Sequence, residues 1–467
     1  MSQETNSALS FETLDVISND AYRDGPPHEL MELMRREAPI ARHRGIEEGY
    51  PEWFWAITRH VDVVEVSRKF QNYSSAAKGS LMNQERPDLE VARLMIDLDP
   101  PEHTRLKSLV NRGFTPKAMR MLEEHFREVA VQLIDEALQE SSLDFVDRVS
   151  AELPLIAIAE LVGIPVEDRR KVFHWSNTMI GTTDPDFAGS PDDATTAAAE
   201  LYMYSNELAA QRKINPKDDI ITTLISEHDG DVLSEHEFDL FMLLLAVAGN
   251  ETTRNGISHG VLAMIENPEQ WTKLKGDTSH VTTAVEEILR WGTPVNNFRR
   301  TATCDVDLHG VQIKEGDCVT MLYPSANRDA AVFADGDAVE HAGRVTIRGR
   351  ALLERPAVLA GAGVADRNLH VVGRRCHAAR IGEVQHHPGR IVHQTAGSIE
   401  AQIGVGRLRG HAVEHIVHFV DALARAILFA LGKVLRHHVA VTQRVVHGGG
   451  RHAAERGFVG GIEIDGI

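Results

Sequence analysis

Residues 243–255 read Leu-Leu-Leu-Ala-Val-Ala-Gly-Asn-Glu-Thr-Thr-Arg-Asn: an apolar run that breaks into Gly249, Asn250, Glu251, Thr252 and Thr253. Apolar residues then return at Ile257, Val261, Leu262 and Ile265. Two readings fit. Gly and Asn favour helix ends, so Gly249-Asn250 could close one helix and open the next. Alternatively the helix runs through, distorted. Ala248 and Gly249 then clear side-chain bulk for a flat ligand, while Glu251 and Thr252 set an acid and a hydroxyl beside it, a proton-delivery arrangement.

The flanks favour a long helix. Ser234, with Glu237 three residues on, forms a capping-box pattern before the apolar run, and Asn267-Pro268 is a stop, which gives about thirty residues between them. Upstream, Pro51–Thr58 is an aromatic and β-branched run that predicts a strand, with a short helix over His60–Phe70. The segment Asp99–Pro116, "DPPEHTRLKSLVNRGFTP", predicts a helix with a basic face, from its Pro-Pro start, its early acid and its Leu106, Leu109 and Val110 spacing. Met119–Glu140 and Ser150–Pro165 carry helical apolar periodicity, and Ala197–Lys213 returns to helix after a more polar stretch, Val166–Asp193, whose "TTDPDFAGSPDD" reads as loop. Val281–Trp291 is a short helix. Phe298–Asp329 alternates like paired strands, with turns at His309-Gly310 and Glu315-Gly316-Asp317. The fold class is therefore mainly α with small β-sheets.

At 467 residues and 43% apolar content, the chain can bury a substantial core. Its formal charge of −19 argues against nucleic acid as a partner. A polar N-terminus and the lack of an apolar run of about 18 residues predict no membrane span and a cytoplasmic setting. Three cysteines, Cys304, Cys318 and Cys376, without CxxC spacing, argue against a disulfide framework and a structural zinc site, while a lone cysteine can still serve as a cofactor ligand. The average charge hides a split. Residues 338–467 hold 17 Lys+Arg against 10 Asp+Glu, only one of the 17 being Lys, and 13 of the 24 His. This composition shift divides the chain into residues 1–337 and an atypical His/Arg/Gly-rich tail, 338–467. In the tail only Ala412–Leu435 reads as a helix.

Further groups sit at telling spacings. Glu287 and Arg290 lie at i, i+3 on one helix, where they can pair. His103 and Lys107 lie at i, i+4, and Arg300 opens a strand. Together with "AGNETT", "EEILR", "FRRTATCDVDLHGVQIKEGD" and "ANRDAAVF", taken in order, the chain over roughly residues 15–335 resembles the cytochrome P450 family of bacterial soluble type. The resemblance implies a P450 fold around haem b for residues 1–335, and a monooxygenase that inserts one oxygen atom into an apolar small molecule. By that resemblance Glu251 and Thr252 are the catalytic acid–alcohol pair assisting O₂ protonation and O–O cleavage, on a helix whose Ala248 and Gly249 face the cofactor. His103, Lys107 and Arg300 match positions that bind haem propionates, Lys107 standing where Arg is commoner and so losing the bidentate fork. Glu287 and Arg290 match the family's structural ion pair. Electrons come from NAD(P)H through a ferredoxin-type or flavin reductase partner. The region around "NFRRTAT" and "RLKSLVNRGFTP" leans toward enzymes that oxidise steroid, terpenoid or branched-lipid chains.

The same resemblance requires a cysteine thiolate in a Phe-x-x-Gly-x-His-x-Cys-x-Gly loop. No such motif is present. Family spacing from Asn327-Arg328-Asp329 lands near residue 359, which has no cysteine close by. Cys376, in "GRRCHAAR", is the one residual candidate for an axial ligand, and no metal-ligand set is matched. Cys304 and Cys318 read as inert thiols of the small sheet. The resemblance stops near Asp335, which predicts that the tail is encoded out of register. Two further readings stand beside these: a catalytically inactive, haem-free remnant that binds a small molecule, and a metal-binding tail built on His386-His387, His411, His415, His418 and His437-His438.

Overall fold

The computed structural model describes residues 11–339 except 47–48, 83–92, 115, 141–142, 182–190, 335 and 337. In chain order the elements begin with α1 (His28–Glu37), β1 (Ile40–Arg44), β2 (Trp53–Ile57), α2 (His60–Arg68) and β3 (Tyr73–Ser74). They continue with α3 (Glu102–Asn111), α4 (Pro116–Ala137), α5 (Glu152–Val162), α6 (Arg169–Ile180), α7 (Pro191–Ile214) and α8 (Ile220–Leu224). The last are α9 (Glu235–Glu266), α10 (Pro268–Gly276), α11 (Val281–Gly292), β4 (Asn297–Ala302), β5 (Val306–Leu308), β6 (Val311–Ile313), β7 (Cys318–Leu322) and α12 (Tyr323–Ala326). The fold is mainly helical with two small sheets, as the sequence implied.

The stretch that could have ended a helix does not. α9 runs unbroken for 32 residues through Gly249-Asn250. Its start is fixed by the capping box: the Glu237 amide donates to Ser234 Oγ at 3.2 Å, and the Ser234 amide donates to Glu237 Oε2 at 2.8 Å. It ends where Pro268 opens α10. Tertiary burial overrides the local preference of Gly and Asn for a helix end, because both sides of that point lie in apolar cores. Phe238, Phe241, Met242, Leu245 and Ala246 pack with Leu109 and Val110 of α3 and Leu201 of α7. Beyond the middle, Ile257, Ala263 and Met264 pack with Ile134 of α4, Leu153 of α5 and Ile288 of α11.

The larger sheet has the order β1-β2-β7-β4-β3, with β2 and β7 parallel and the other neighbours antiparallel. β5 and β6 form a separate hairpin. Its turn has φ of 53° at His309 and 89° at Gly310, the two left-handed residues that a tight hairpin of matching twist requires.

Five helices of the described residues escaped the sequence reading: α1, α8, α10, the single turn α12 inside the stretch read as paired strands, and above all α6, which occupies a stretch read as polar connection. Val172 and Ser176 are buried and Trp175 and Met179 pack against the same core, so α6 has a narrow inward stripe at helical spacing. The loop over 182–190 and the tail helix Ala412–Leu435 lie outside the described residues. No helix of the described residues is long and apolar enough to cross a membrane.

Candidate active site

The middle of α9 carries the acid and the hydroxyl. Thr252 is buried, and its Oγ1 donates to the Ala248 carbonyl at 2.7 Å, a side-chain bond to the preceding turn that tends to bend a helix without breaking it. The lone pairs of Oγ1 remain available as acceptors. Glu251 is held within its own helix: Arg254 Nη2 donates to Oε2, and Asn255 Nδ2 donates to Oε1 at 3.2 Å. Sequence reading named Glu251 and Thr252 but not Arg254 and Asn255. Their i+3 and i+4 spacing was the available signal.

Gly249 requires a correction of emphasis. A Cβ there would come within 2.9 Å of Ile158 Cδ1 on α5. The space left by its missing side chain is therefore taken by a neighbouring helix rather than left open for a flat ligand. Ala248 is buried one position before it.

α3 supplies His103, half-buried, and Lys107, only 4% exposed. Burial alone pushes the Lys107 amine down to about 8, with no carboxylate opposing it. A buried cation in that condition is a receptor for an anion. The amino end of α3 is tied to the sheet through Asp99: the Ser75 amide donates to its Oδ1 at 3.0 Å, Ser74 Oγ donates to its Oδ2, and its carbonyl accepts from the His103 amide at 3.0 Å. Ser74 belongs to β3 and is paired with Thr301 of β4, the strand that carries Arg300. The three cationic groups picked from sequence thus lie on two elements joined by one carboxylate. Arg300 is half-buried, while Arg299 is fully buried on the other face of the strand. Near Arg300 the Tyr323 hydroxyl is buried without a described partner, and burial pushes it up to about 12.

On the outer side of α3, Arg105 Nη2 and Nε grip Asp231 at 2.7 and 2.9 Å, while Nη1 reaches Glu237 Oε1 at 2.6 Å. The carboxylate that caps α9 is therefore also held by α3.

Glu287 and Arg290 of α11 pair in the interior. Nε donates to Oε2 at 2.7 Å and Nη2 to Oε1 at 2.6 Å, with both residues buried. The remaining donors go to backbone carbonyls: Nη1 to Asn327 and Gly336, each at 2.8 Å, and Nη2 to Ala338 at 2.9 Å. All five guanidinium N–H groups are used. The turn at 325–333, uninformative as sequence, ties several elements together. Ser325 Oγ accepts from Arg35 Nη1 at 2.9 Å, and Asp329 Oδ2 accepts from the His60 amide at the start of α2, also at 2.9 Å.

Two features that the resemblance asks of a haem protein are present: an acid and a hydroxyl at the middle of α9, and a buried cation on α3 suited to a carboxylate. The proximal thiolate is not met among the described residues. Cys318 is buried within β7 and Cys304 is exposed on the turn after β4, while Cys376 lies outside the described residues. Those residues also contain no cluster of three or more His, Cys, Asp or Glu that could hold a metal ion. The tail histidines fall beyond them.

Comparison with known proteins gives the same family. The cytochrome P450 family model matches residues 193–339. A steroid C26-monooxygenase of Mycolicibacterium smegmatis is 44% identical over 320 residues, covering 66% of this chain and 74% of the relative. A methyl-branched lipid omega-hydroxylase of Mycobacterium tuberculosis is 40% identical over 337 residues, covering 70% and 77%. Among solved structures, a Mycobacterium marinum cytochrome P450 in complex with pseudoionone is similar with a TM-score of 0.69 and 30% identity, covering 91% of this chain and 92% of that one. With these relatives, this helical fold and the ordered motifs in place, the chain belongs to the cytochrome P450 family of haem-iron monooxygenases.

Proposed function

We propose that the enzyme hydroxylates the end of a branched aliphatic chain on an apolar small molecule, a steroid, terpenoid or methyl-branched lipid, in the cytoplasm. The observation that carries this is the pair of relatives at 44% and 40% identity. Their names share one chemistry: by steroid numbering C26 is a terminal side-chain carbon, and an omega position is the end of a chain. Electrons pass from NAD(P)H through a ferredoxin or flavin reductase.

Bound haem supplies activation of dioxygen and insertion of one of its atoms into a C–H bond. The chain's own residues do the rest. Lys107, His103 and Arg300 bind the carboxylate edge of the group, and Ala248 keeps the middle of α9 slim. The Thr252 hydroxyl, turned from the Ala248 carbonyl, would hold a proton at Oγ1 on the middle of α9. Glu251 resupplies it once its contact with Arg254 opens. Glu287 and Arg290 are structural. The haem-free remnant finds no support in these relatives.

The composition shift sets a boundary between residues 1–337 and the atypical tail, 338–467. The frame change that displaced the cysteine loop would then lie near that boundary. Sequencing the coding DNA across codons 330–345 and onward tests this, and a restored frame without a cysteine loop would refute it.

The activity test uses purified chain, a ferredoxin–reductase pair and NAD(P)H, with a steroid bearing an intact side chain and a methyl-branched fatty acid as substrates. A product carrying one added oxygen at the chain terminus is expected. Oxygen on ring carbons, from a preparation with full haem content, would overturn the substrate reading. Haem stoichiometry and the CO-reduced spectrum separately report whether the encoded chain holds a thiolate-ligated haem. Glu251→Gln is expected to lower turnover about 100-fold while leaving haem content and substrate binding unchanged.

A further inference from the structure

Asn250 is a polar residue of the 243–255 stretch that the proposed chemistry does not use. It is 1% exposed, and neither its Nδ2 nor its Oδ1 finds a hydrogen-bond partner among the described residues. It points away from Thr252, toward the joint of α5, α6 and α9. There it lines a small cavity with about 10 Å³ of space for the centre of a water molecule. The walls include Leu155, Ile158 and Phe173, and the polar groups are Asn250, Ser176 and Arg169. Thr253 is also buried with an unpartnered hydroxyl.

A buried amide with both ends unsatisfied is costly, and a single internal water making two to four hydrogen bonds is the usual remedy. We infer that this cavity is a water site built on Asn250. The amide supplies a donor and an acceptor. Ser176 Oγ donates to the Phe173 carbonyl at 2.9 Å and so keeps its lone pairs for the water. Arg169 adds a donor from the cavity wall while its Nη2 lies 3.4 Å from Glu152. Its side chain is 27% exposed, which gives the water a route of exchange with solvent. The site lies beside the contact between Gly249 and Ile158, so a water there anchors α9 to α5 and α6.

Two measurements on the full-length protein test this. The first is a crystal structure at a resolution that shows ordered water, with a second data set under xenon pressure. Water density within hydrogen-bond distance of Asn250 Nδ2 or Oδ1, and no xenon, is expected. A dry cavity, or xenon in it, would overturn the site. The second is a count of long-lived internal waters by magnetic relaxation in the wild type and in Asn250→Leu, a change close in volume that removes both amide atoms. Loss of one water is expected, and an unchanged count would refute the role of Asn250. If that variant does not fold, the wild-type crystal experiment decides alone.

Discussion

The Glu287–Arg290 junction and the middle of α9 are both buried and polar, but their hydrogen-bond accounts differ. At the junction each guanidinium proton has an acceptor, and the carboxylate is gripped at both oxygens. Around α9 several polar groups are left open: the amide of Asn250 and the hydroxyl of Thr253 have no described partner, and the amine of Lys107 on α3 is buried without a counter-charge among the described residues. A saturated site has nothing left to bind and serves to hold the chain. A site with unspent capacity is where a cofactor, a water or a proton can be taken up.

The contrast can be broken at its strongest point first. Arg290→Ala strands a buried carboxylate and three carbonyls, and it should cost about 3–5 kcal/mol of unfolding free energy. Urea denaturation reads this, and a loss under about 1 kcal/mol would show that the pair is not the lock described. Lys107 should behave in the opposite sense. Its folded amine sits near 8 against an ordinary 10.5, so the unfolded chain binds the proton more readily. In the cofactor-free protein, stability from this group is full above about pH 10.5, falls as pH drops toward 8 and is flat below. Lys107→Met should therefore stabilise the cofactor-free chain at pH 7 by about 3 kcal/mol and abolish this part of the pH dependence. A loss of stability would instead reveal a hidden partner.

Smaller effects sharpen the comparison at two glycines. A Cβ on Gly336 would lie 2.6 Å from the Arg328 carbonyl oxygen and 2.7 Å from its Cα, and backbone cannot rotate away. Gly336→Ala should cost about 1–3 kcal/mol, seen as a lower thermal midpoint. At Gly249 the obstacle is the tip of Ile158, which can shift. There the helix-propensity gain of Ala, up to about 1 kcal/mol, offsets the crowding, so Gly249→Ala should change the thermal midpoint little. Equal losses at both glycines would remove the distinction between a rigid junction and an adaptable helix contact.

Sequence made the long helix legible because its signals are local: Ser234 and Glu237 are three residues apart, and Pro268 stops the ladder where it stands. The Glu287–Arg290 spacing was equally local, and Glu251-Thr252 stood out against an apolar run. What could not be read were partners fixed by packing. Arg290 reaches carbonyls 37 to 48 residues away, and a carbonyl carries no residue signature. The space beside Gly249 belongs to Ile158, which only tertiary structure brings there. α6 was missed because three of its first turn's four residues are basic or polar, masking the stripe formed by Val172, Trp175, Ser176 and Met179. The proximal ligand was unreadable for a different reason: the residues in hand where it should stand do not encode it.

Glu237 serves two structures at once, closing the cap of α9 and accepting the clasp of Arg105. A helix of 32 residues spans about 48 Å, and one clasped at its end behaves as a strut. A small tilt at that clasp becomes a displacement at its midpoint, where Thr252 sits. The helix that carries Lys107 is the one holding the clasp, so in the role proposed for Lys107 seating the cofactor and aiming the hydroxyl would be mechanically a single adjustment.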